Sequence, residues 1–338
     1  MTALSILVTG GAGFIGSSFV HHLRERHPEH RVIVLDALTY AGSMVNLPAP
    51  CTFVYGTVAN VELVQDLVAQ VDIVVHMAAE SAVTRSIADD RTFFEIDVLG
   101  TQVVAAAVTK ARDRVRLFVH VSTSEVYGTA RGAAMDEDHP LEPLSPYAAA
   151  KCGADRLVYA YARTYGLPAV IVRPFNNYGP RQHLEKVVPR FITSCLLGEP
   201  LTVHGDGRAG RDFLFVEDTC EALARIIHAD PAAVAGQTLN LGTGVTTTIA
   251  ELAERVRGIF EAGDLPVQFL GDRPAQVFRH TCDARRARDV LGWEPRVGLA
   301  EGLARTAAWY RANPDWWRGQ VGMRHIPIVT SSGKREML

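Results

Sequence analysis

The sequence predicts an α/β protein: a doubly wound parallel sheet of the Rossmann type with a smaller mixed C-terminal domain behind it. Three observations predict this. Short apolar runs alternate with helix-spaced segments from residue 1 to about 175. A glycine-broken turn, "TGGAGFIG", follows the first apolar run and opens a helix. After Pro174 the strict alternation gives way to helices mixed with short strands.

Taken in order, "SILVT" reads as a buried strand and "FIGSSFVHHLRER" as the helix after it, with Phe14, Ile15, Phe19, Val20 and Leu23 at helical spacing. "RVIVLD" and "CTFVYG" are the next strands. "VELVQDLVAQV" is an amphipathic helix, and "DIVVHMAA" is again a strand. "TFFEIDVLGTQVVAAAVTKA" reads as one helix, "RLFVHVST" as a strand, "SPYAAAKCGADRLVYAYARTYG" as a long helix and "PAVIVRPFN" as a strand. Each parallel connection needs a crossover, which the intervening helices provide. Further on, "VVPRFITSCLLG" and "IAELAERVRGIF" are helical, whereas "PLTVHG", "DFLFVED" and "QTLNLG" are short strands. We divide the chain into a sheet domain (1–175), a partly interleaved C-terminal domain (176–325) and a polar, frayed tail (326–338).

The bulk numbers exclude several classes. The 338 residues carry 34 basic and 37 acidic side chains, a net charge of −3, so no basic field invites nucleic acid or a membrane surface. No apolar run approaches the ~20 residues of a membrane span, and the N-terminus lacks a signal-peptide pattern. The five cysteines, at 51, 152, 195, 220 and 282, form no CxxC or zinc spacing. Reduced thiols in a cytoplasmic protein, with no metal, are expected. His21, His22, His27 and His30 read as a solvated helix face, Cys152 as a packing residue, and Trp316 and Trp317 as packing for the C-terminal segment.

Gly10, Gly13 and Gly16 bring the backbone close to a pyrophosphate and leave free N–H groups at a helix start. Asp36 ends the next strand, twenty residues after Gly16. A carboxylate there hydrogen-bonds ribose hydroxyls and repels a 2′-phosphate, which selects NAD over NADP. Tyr147 and Lys151 are four apart and share a helix face. An ammonium beside a phenol lowers the phenol's pKa and fits it for proton transfer, although the same spacing also occurs as a plain surface pair.

"TGGAGFIG", "HMAAES", "STSEVYG", "SPYAAAK" and "RPFNNYGPR" together resemble the extended short-chain dehydrogenase/reductases that modify nucleotide sugars. The resemblance covers nearly the whole chain, including "LTVHGDGRAGRDFLFVED" and "LNLGTG". "DALTYAGSMVNL", "AAESAVTRSI", "NNYGPRQHLEKVVP" and "GDRP" are particularly similar to dTDP-glucose 4,6-dehydratases. "STSEVYGTA" also resembles UDP-N-acetylglucosamine 4,6-dehydratases, and "TSEVYG" UDP-glucuronate decarboxylases.

The resemblance implies roles. Tyr147 takes the proton of the sugar O4, Lys151 holds the nicotinamide ribose and tunes Tyr147, and Thr123 hydrogen-bonds the O4 region. Asn177 and Arg211 contact the diphosphate, with Lys186 and Arg273 as weaker candidates. Phe14, Ile15, Thr57, Val58 and Ala78 join the cofactor site, and Glu80, Ser81, Arg85 and Val187 the substrate site. Helices containing "VLGTQVVAAAV" and "AAAKCGADRLVYAYA" pair across a two-fold, giving a homodimer.

Three positions depart from the family. Thr57 stands where an acid is common near adenine, Asp97 where Asn is commoner, and Ser124 where the dehydratases carry the aspartic acid that protonates the leaving C6 hydroxyl. A ketone at C4 acidifies the C5 proton, which Glu125 is placed to remove. Ser124 cannot act as the acid, which leaves Glu125 to return the proton or Ser124 to relay one through water. Three reactions therefore stand: 4,6-dehydration first, then 4-epimerisation, then decarboxylation of a UDP-uronate with Arg85 or Arg181 as the carboxylate's cation. A non-catalytic NAD-binding regulator is the reading outside enzymes.

Overall fold

The computed structural model describes residues 3–272, 274–324, 326–329 and 335–337. Six strands build the first part of a parallel sheet: β1 (Ser5–Thr9), β2 (Arg31–Asp36), β3 (Thr52–Tyr55), β4 (Ile73–His76), β5 (Leu117–Val121) and β6 (Ala169–Pro174). Then β7 (Asn176–Tyr178), β8 (Leu201–His204) and β9 (Gly210–Phe215) leave this sheet, and β10 (Thr238–Leu241) returns to it beside β6. The strand order is β10-β6-β5-β4-β1-β2-β3. The order reverses between β1 and β4, the place where open α/β sheets bind ligands.

The strands read as continuous apolar runs because both faces are covered. Every residue of β4 and β5 is buried. On one face the helices Phe14–Arg26 and Val216–His228 pack Phe19, Leu23, Leu223 and Ile227 onto the sheet, with Trp293 beside them. On the other, Val64, Val104, Val108 and Val158 close against Leu7, Val74 and Phe118. At ~25 cal/mol per Å² of apolar surface, such two-sided burial is the main drive for the fold.

The local stop and start signals act as the residue types dictate. Asn60 caps the Val61–Val68 helix by accepting from the Leu63 amide at 3.1 Å. Ser145 caps the Pro146–Tyr165 helix, Pro146 occupies its first position, and Gly166 ends it in the left-handed conformation.

A third core forms outside the main sheet from Tyr178, Phe191, Phe215, Leu252, Leu303, Tyr310 and Trp317. Strands β11 (Thr246–Thr248), β12 (Val267–Leu270) and β13 (Arg279–His280) belong here. β9 lies between β11 and β13 and also pairs with β7, while β12 pairs with β8. Trp316 and Trp317 do pack this region, with Trp317 buried.

Two elements differ from the expectation. The stretch read as one helix is a short α-turn at Arg91–Phe93, a π-helix at Phe94–Gly100 and an α-helix at Thr101–Lys110. The π register turns Asp97 inward, where its Oδ1 accepts from the Glu80 amide at 2.8 Å. The most apolar 18 residues of this stretch have a mean hydropathy of 1.3, apolar enough to span a bilayer by composition, and the stretch packs Val104, Ala105 and Val108 into the core instead. In the tail read as frayed, β14 (Pro327–Val329) and β15 (Arg335–Met337) pair antiparallel.

Candidate active site

One cleft of about 440 Å³ runs across the carboxyl ends of the sheet strands and under β9. At its cofactor end, β1 delivers the chain into Gly10, which has φ +70°. A Cβ at Gly10 would lie 2.6 Å from the Ala78 amide nitrogen, and one at Gly16 would collide with the Gly10 carbonyl. Gly13 precedes the Phe14–Arg26 helix without a side-chain cap, so the first-turn amides are not taken by a side chain. Asp36 accepts from the amides of Ala12 at 2.9 Å and Leu38 at 2.8 Å. Those bonds hold its carboxylate at the cleft wall, and burial pushes its pKa up. A bare glycine cradle beside an anchored carboxylate fits a dinucleotide pyrophosphate and ribose.

At the other end, β5 stops at Val121 and the chain turns through Thr123 into a 3₁₀ turn, Ser124–Tyr127. The Thr123 hydroxyl accepts from the Glu125 amide at 3.2 Å and also hydrogen-bonds the Tyr147 phenol. The Pro146–Tyr165 helix brings Tyr147 and Lys151 to the same wall, both buried. Beneath it, Arg173 forks onto Asp155 at 2.8 and 2.9 Å and ties this helix to β6. Arg173 also donates to the Tyr127 hydroxyl, which donates to Asn240. That network pins both the turn and the helix.

The electrostatics differ from the reading of the Tyr–Lys spacing. The Tyr147 pKa is raised, first by burial and then by Asp97 and Glu125, with Thr123 opposing. Lys151 is itself lowered by burial, and its Nζ donates to the Val121 carbonyl at 3.0 Å. Burial therefore outweighs any pull of the ammonium on the phenol. Asp97 is fully buried, with its carboxyl pushed up to about 7 by burial, while Lys151 pulls it back.

Of the residues singled out in the sequence, Gly10, Gly13, Phe14, Ile15, Gly16, Asp36, Thr57, Val58, Ala78, Glu80 and Ser81 line the cleft. So do Thr123, Ser124, Glu125, Tyr147, Lys151, Asn177, Lys186, Val187 and Arg211. Asn177 accepts from Thr219 at 2.6 Å, Lys186 donates to the Ser81 carbonyl at 2.8 Å, and Arg211 donates to the Val277 carbonyl at 2.7 Å. Arg85 does not line the cleft. It stacks on Tyr40, 4.2 Å from the ring centroid, and donates to Glu185 at 3.2 Å. Arg181 is also outside the lining, and Arg273 lies outside the described residues.

The sequence reading missed Tyr40, His183, Glu185, Arg190 and His204, all at the cleft wall. Tyr40 and Glu185 sit inside the quoted motifs "DALTYAG" and "RQHLEKVVP", a signal that was available. The histidines read as a solvated face are instead gathered. His27, His30 and His228 present ring nitrogens within 4.8 Å of one another, and His30 and His228 are hydrogen-bonded at 2.8 Å.

A glycine cradle, an anchored acid and a Thr–Tyr–Lys set along one cleft define a dinucleotide-dependent enzyme of the extended short-chain dehydrogenase/reductase class. The chain belongs to the family described as GDP-mannose 4,6 dehydratase, whose pattern matches residues 7–306. It is 43% identical over 324 residues to a dTDP-glucose 4,6-dehydratase of Streptomyces niveus, covering 93% of this chain and 95% of that one. The crystal structure of the dTDP-glucose 4,6-dehydratase DesIV from Streptomyces venezuelae, with NAD and TYD bound, superposes with a TM-score of 0.88 at 41% identity. That match covers 93% of this chain and 99% of the other. A UDP-glucose 4-epimerase from Thermotoga maritima, with UDP-glucose bound, gives 0.85 at 31% identity over 92% and 99%. The fold is thus shared by two reactions, and the site must choose between them.

Proposed function

We propose that this chain is an NAD-dependent nucleoside-diphosphate-sugar 4,6-dehydratase. The observation that carries the reading is the placement of a carboxylate, Glu125, two residues from Thr123 and on the same cleft wall as Tyr147. The glycine cradle and Asp36 would hold NAD, which would supply the acceptor for the C4 hydride and the donor that returns it to C6 once water has left. Tyr147 takes the O4 proton, and Thr123, already bonded to its phenol, orients both oxygens. Lys151 supplies positive charge beside them. Glu125 then removes the C5 proton made acidic by the C4 ketone, and the C6 hydroxyl leaves as water. Relatives named dTDP-glucose 4,6-dehydratase make dTDP-glucose the first substrate to test.

An epimerase would need only Tyr147, Lys151 and room for the ketone to turn, and would leave Glu125 without work. A decarboxylase would want a cation for the uronate. Arg85 is committed to Glu185, and neither Arg85 nor Arg181 reaches the cleft wall. The cytoplasm and a homodimer complete the proposal. Phe94, Leu99 and Tyr159 are exposed apolar side chains on the two helical stretches expected to pair across the two-fold.

Two variants test the reaction. Tyr147→Phe should lose C4 oxidation by about 10²–10⁴-fold while still binding NAD. Glu125→Gln should still reduce the cofactor with dTDP-glucose but release no water. A Glu125→Gln enzyme that dehydrates at the parental rate would refute the assignment.

A further inference from the structure

The dehydratase reading leaves one proton without a second acid, because Ser124 occupies the position next to Glu125. Behind that pair sits His280. It lies on β13, in register with Arg211 of β9, and its side chain is fully buried. Its Nε2 is 2.9 Å from the Ser124 carbonyl oxygen. A carbonyl only accepts, so Nε2 carries the hydrogen, and Nδ1 of the neutral ring is a bare acceptor. Among the described residues Nδ1 has no hydrogen-bond partner, and it lies 3.8 Å from Oε1 of Glu125. The ring is held against Phe175, with centroids 4.9 Å apart.

The charges facing the ring are Glu125 from the turn, and Arg211 and Asp212 from β9. Burial and Arg211 disfavour the imidazolium, whereas Glu125, Asp212 and the Ser124 carbonyl favour it. Burial prevails, and the ring waits as a neutral acceptor. An ionised Glu125 and a bare Nδ1 have nothing to share, since both accept. A protonated Glu125 is a donor, and then the two fit.

We infer that His280 is the positioning residue that lets Glu125 act as both base and acid, its Nδ1 holding the proton removed from C5 until that proton leaves on O6. The inference rests on the dehydratase reading. The step balances within the site. The C5–H bond breaks to Glu125, its electron pair becomes the C5=C6 bond, and the C6–O6 bond breaks. O6 takes the held proton through Glu125 and departs as water. Glu125 ends ionised and His280 neutral, as they began.

The test is His280→Gln, whose side-chain amide can still donate to the Ser124 carbonyl but offers no nitrogen that takes a proton. With dTDP-glucose, kcat should fall by about 10²-fold at unchanged KM, the lower end of what acid help supplies. Reduced cofactor should accumulate, because C4 oxidation now outruns elimination, and the acid limb of the kcat profile should change. A second acid supplied as Ser124→Asp in the His280→Gln background should restore turnover. Parental kcat with an unchanged acid limb in His280→Gln overturns the inference. So does full activity in His280→Gln when His280→Phe is inactive, which would mark a purely structural hold on the turn. Should the glutamine variant fail to fold, ¹⁵N spectra of the parent decide: a neutral ring protonated at Nε2 supports the assignment, and a ring protonated at Nδ1 alone or doubly protonated at neutral pH overturns it. If the parent itself releases no water from dTDP-glucose, the dehydratase reading fails. If the parent dehydrates and His280→Gln matches it, only the role of His280 fails.

Discussion

Replacing Asp97 by Asn should stabilise the protein, and by an amount that grows with pH. Asp97 has no exposed surface, its Oδ1 accepts from the Glu80 amide, and its Oδ2 has no hydrogen-bond partner among the described residues. Burial is the largest influence on it. The Lys151 charge and the Glu80 amide oppose burial, Glu80's own charge adds to it, and the carboxyl rests at about 7 against an ordinary 3.8. Because the folded chain holds this proton more tightly than the unfolded chain, its stabilising contribution is full below about pH 4. It is lost as pH rises through about 7. At 1.36 kcal/mol per pH unit, the whole interval corresponds to about 4 kcal/mol. Asn cannot ionise and keeps the oxygen that the Glu80 amide needs. The advantage of Asp97→Asn over the parent should therefore grow by about 2–3 kcal/mol between about pH 5 and about pH 8. Urea unfolding of both proteins at the two pH values reads this directly. An advantage that is independent of pH, or that shrinks as pH rises, would refute the reasoning. The Asn variant should also ease the upward pressure on the Tyr147 phenol, since Asp97 is the second cause of its raised pKa.

Gly10→Ala should weaken NAD binding at least about tenfold, measured by titration calorimetry. The added Cβ meets the Ala78 amide nitrogen at 2.6 Å from a positive-φ backbone, so unchanged affinity would contradict the cradle. Arg173→Met should cost about 1.5–3 kcal/mol in urea unfolding, because it removes the buried fork from Asp155 and leaves that carboxylate only the partly exposed Arg156. Adding Asp155→Leu should recover most of that loss, and a double variant no better than the single would show that the pair itself carries the stability.

What was legible in the sequence was local. The Gly10–Gly16 spacing, Asp36 at a strand end, and Tyr147 four residues before Lys151 each involve neighbours along the chain, and period alone places them. Ser124 and Asp97 were visible as departures, but not their consequences. Asp97 reaches the Glu80 amide only because a π register rotates it inward, which the periodicity of "EIDVLGT" does not show. The pairing of Arg85 with Glu185 spans 100 residues, and that of His30 with His228 spans 198. His280 was not legible at all. It lies 156 residues from Ser124, and only the pairing of β13 with β9 brings it behind the site. In the same way, the return of β10 to the sheet beside β6 is a long-range pairing that "QTLNLG" states only as a strand. Contacts of this kind follow from topology rather than from spacing.

In the proposed reaction this cleft oxidises C4 and then expels water, the proton coming from C5 and the hydroxyl from C6. This reaction is tested most directly by incubating the protein with NAD and dTDP-glucose and taking the product's mass. The expected product is a nucleotide sugar lighter by one water, with the cofactor returned to its oxidised form. A product of unchanged mass with an altered configuration at C4 would contradict it.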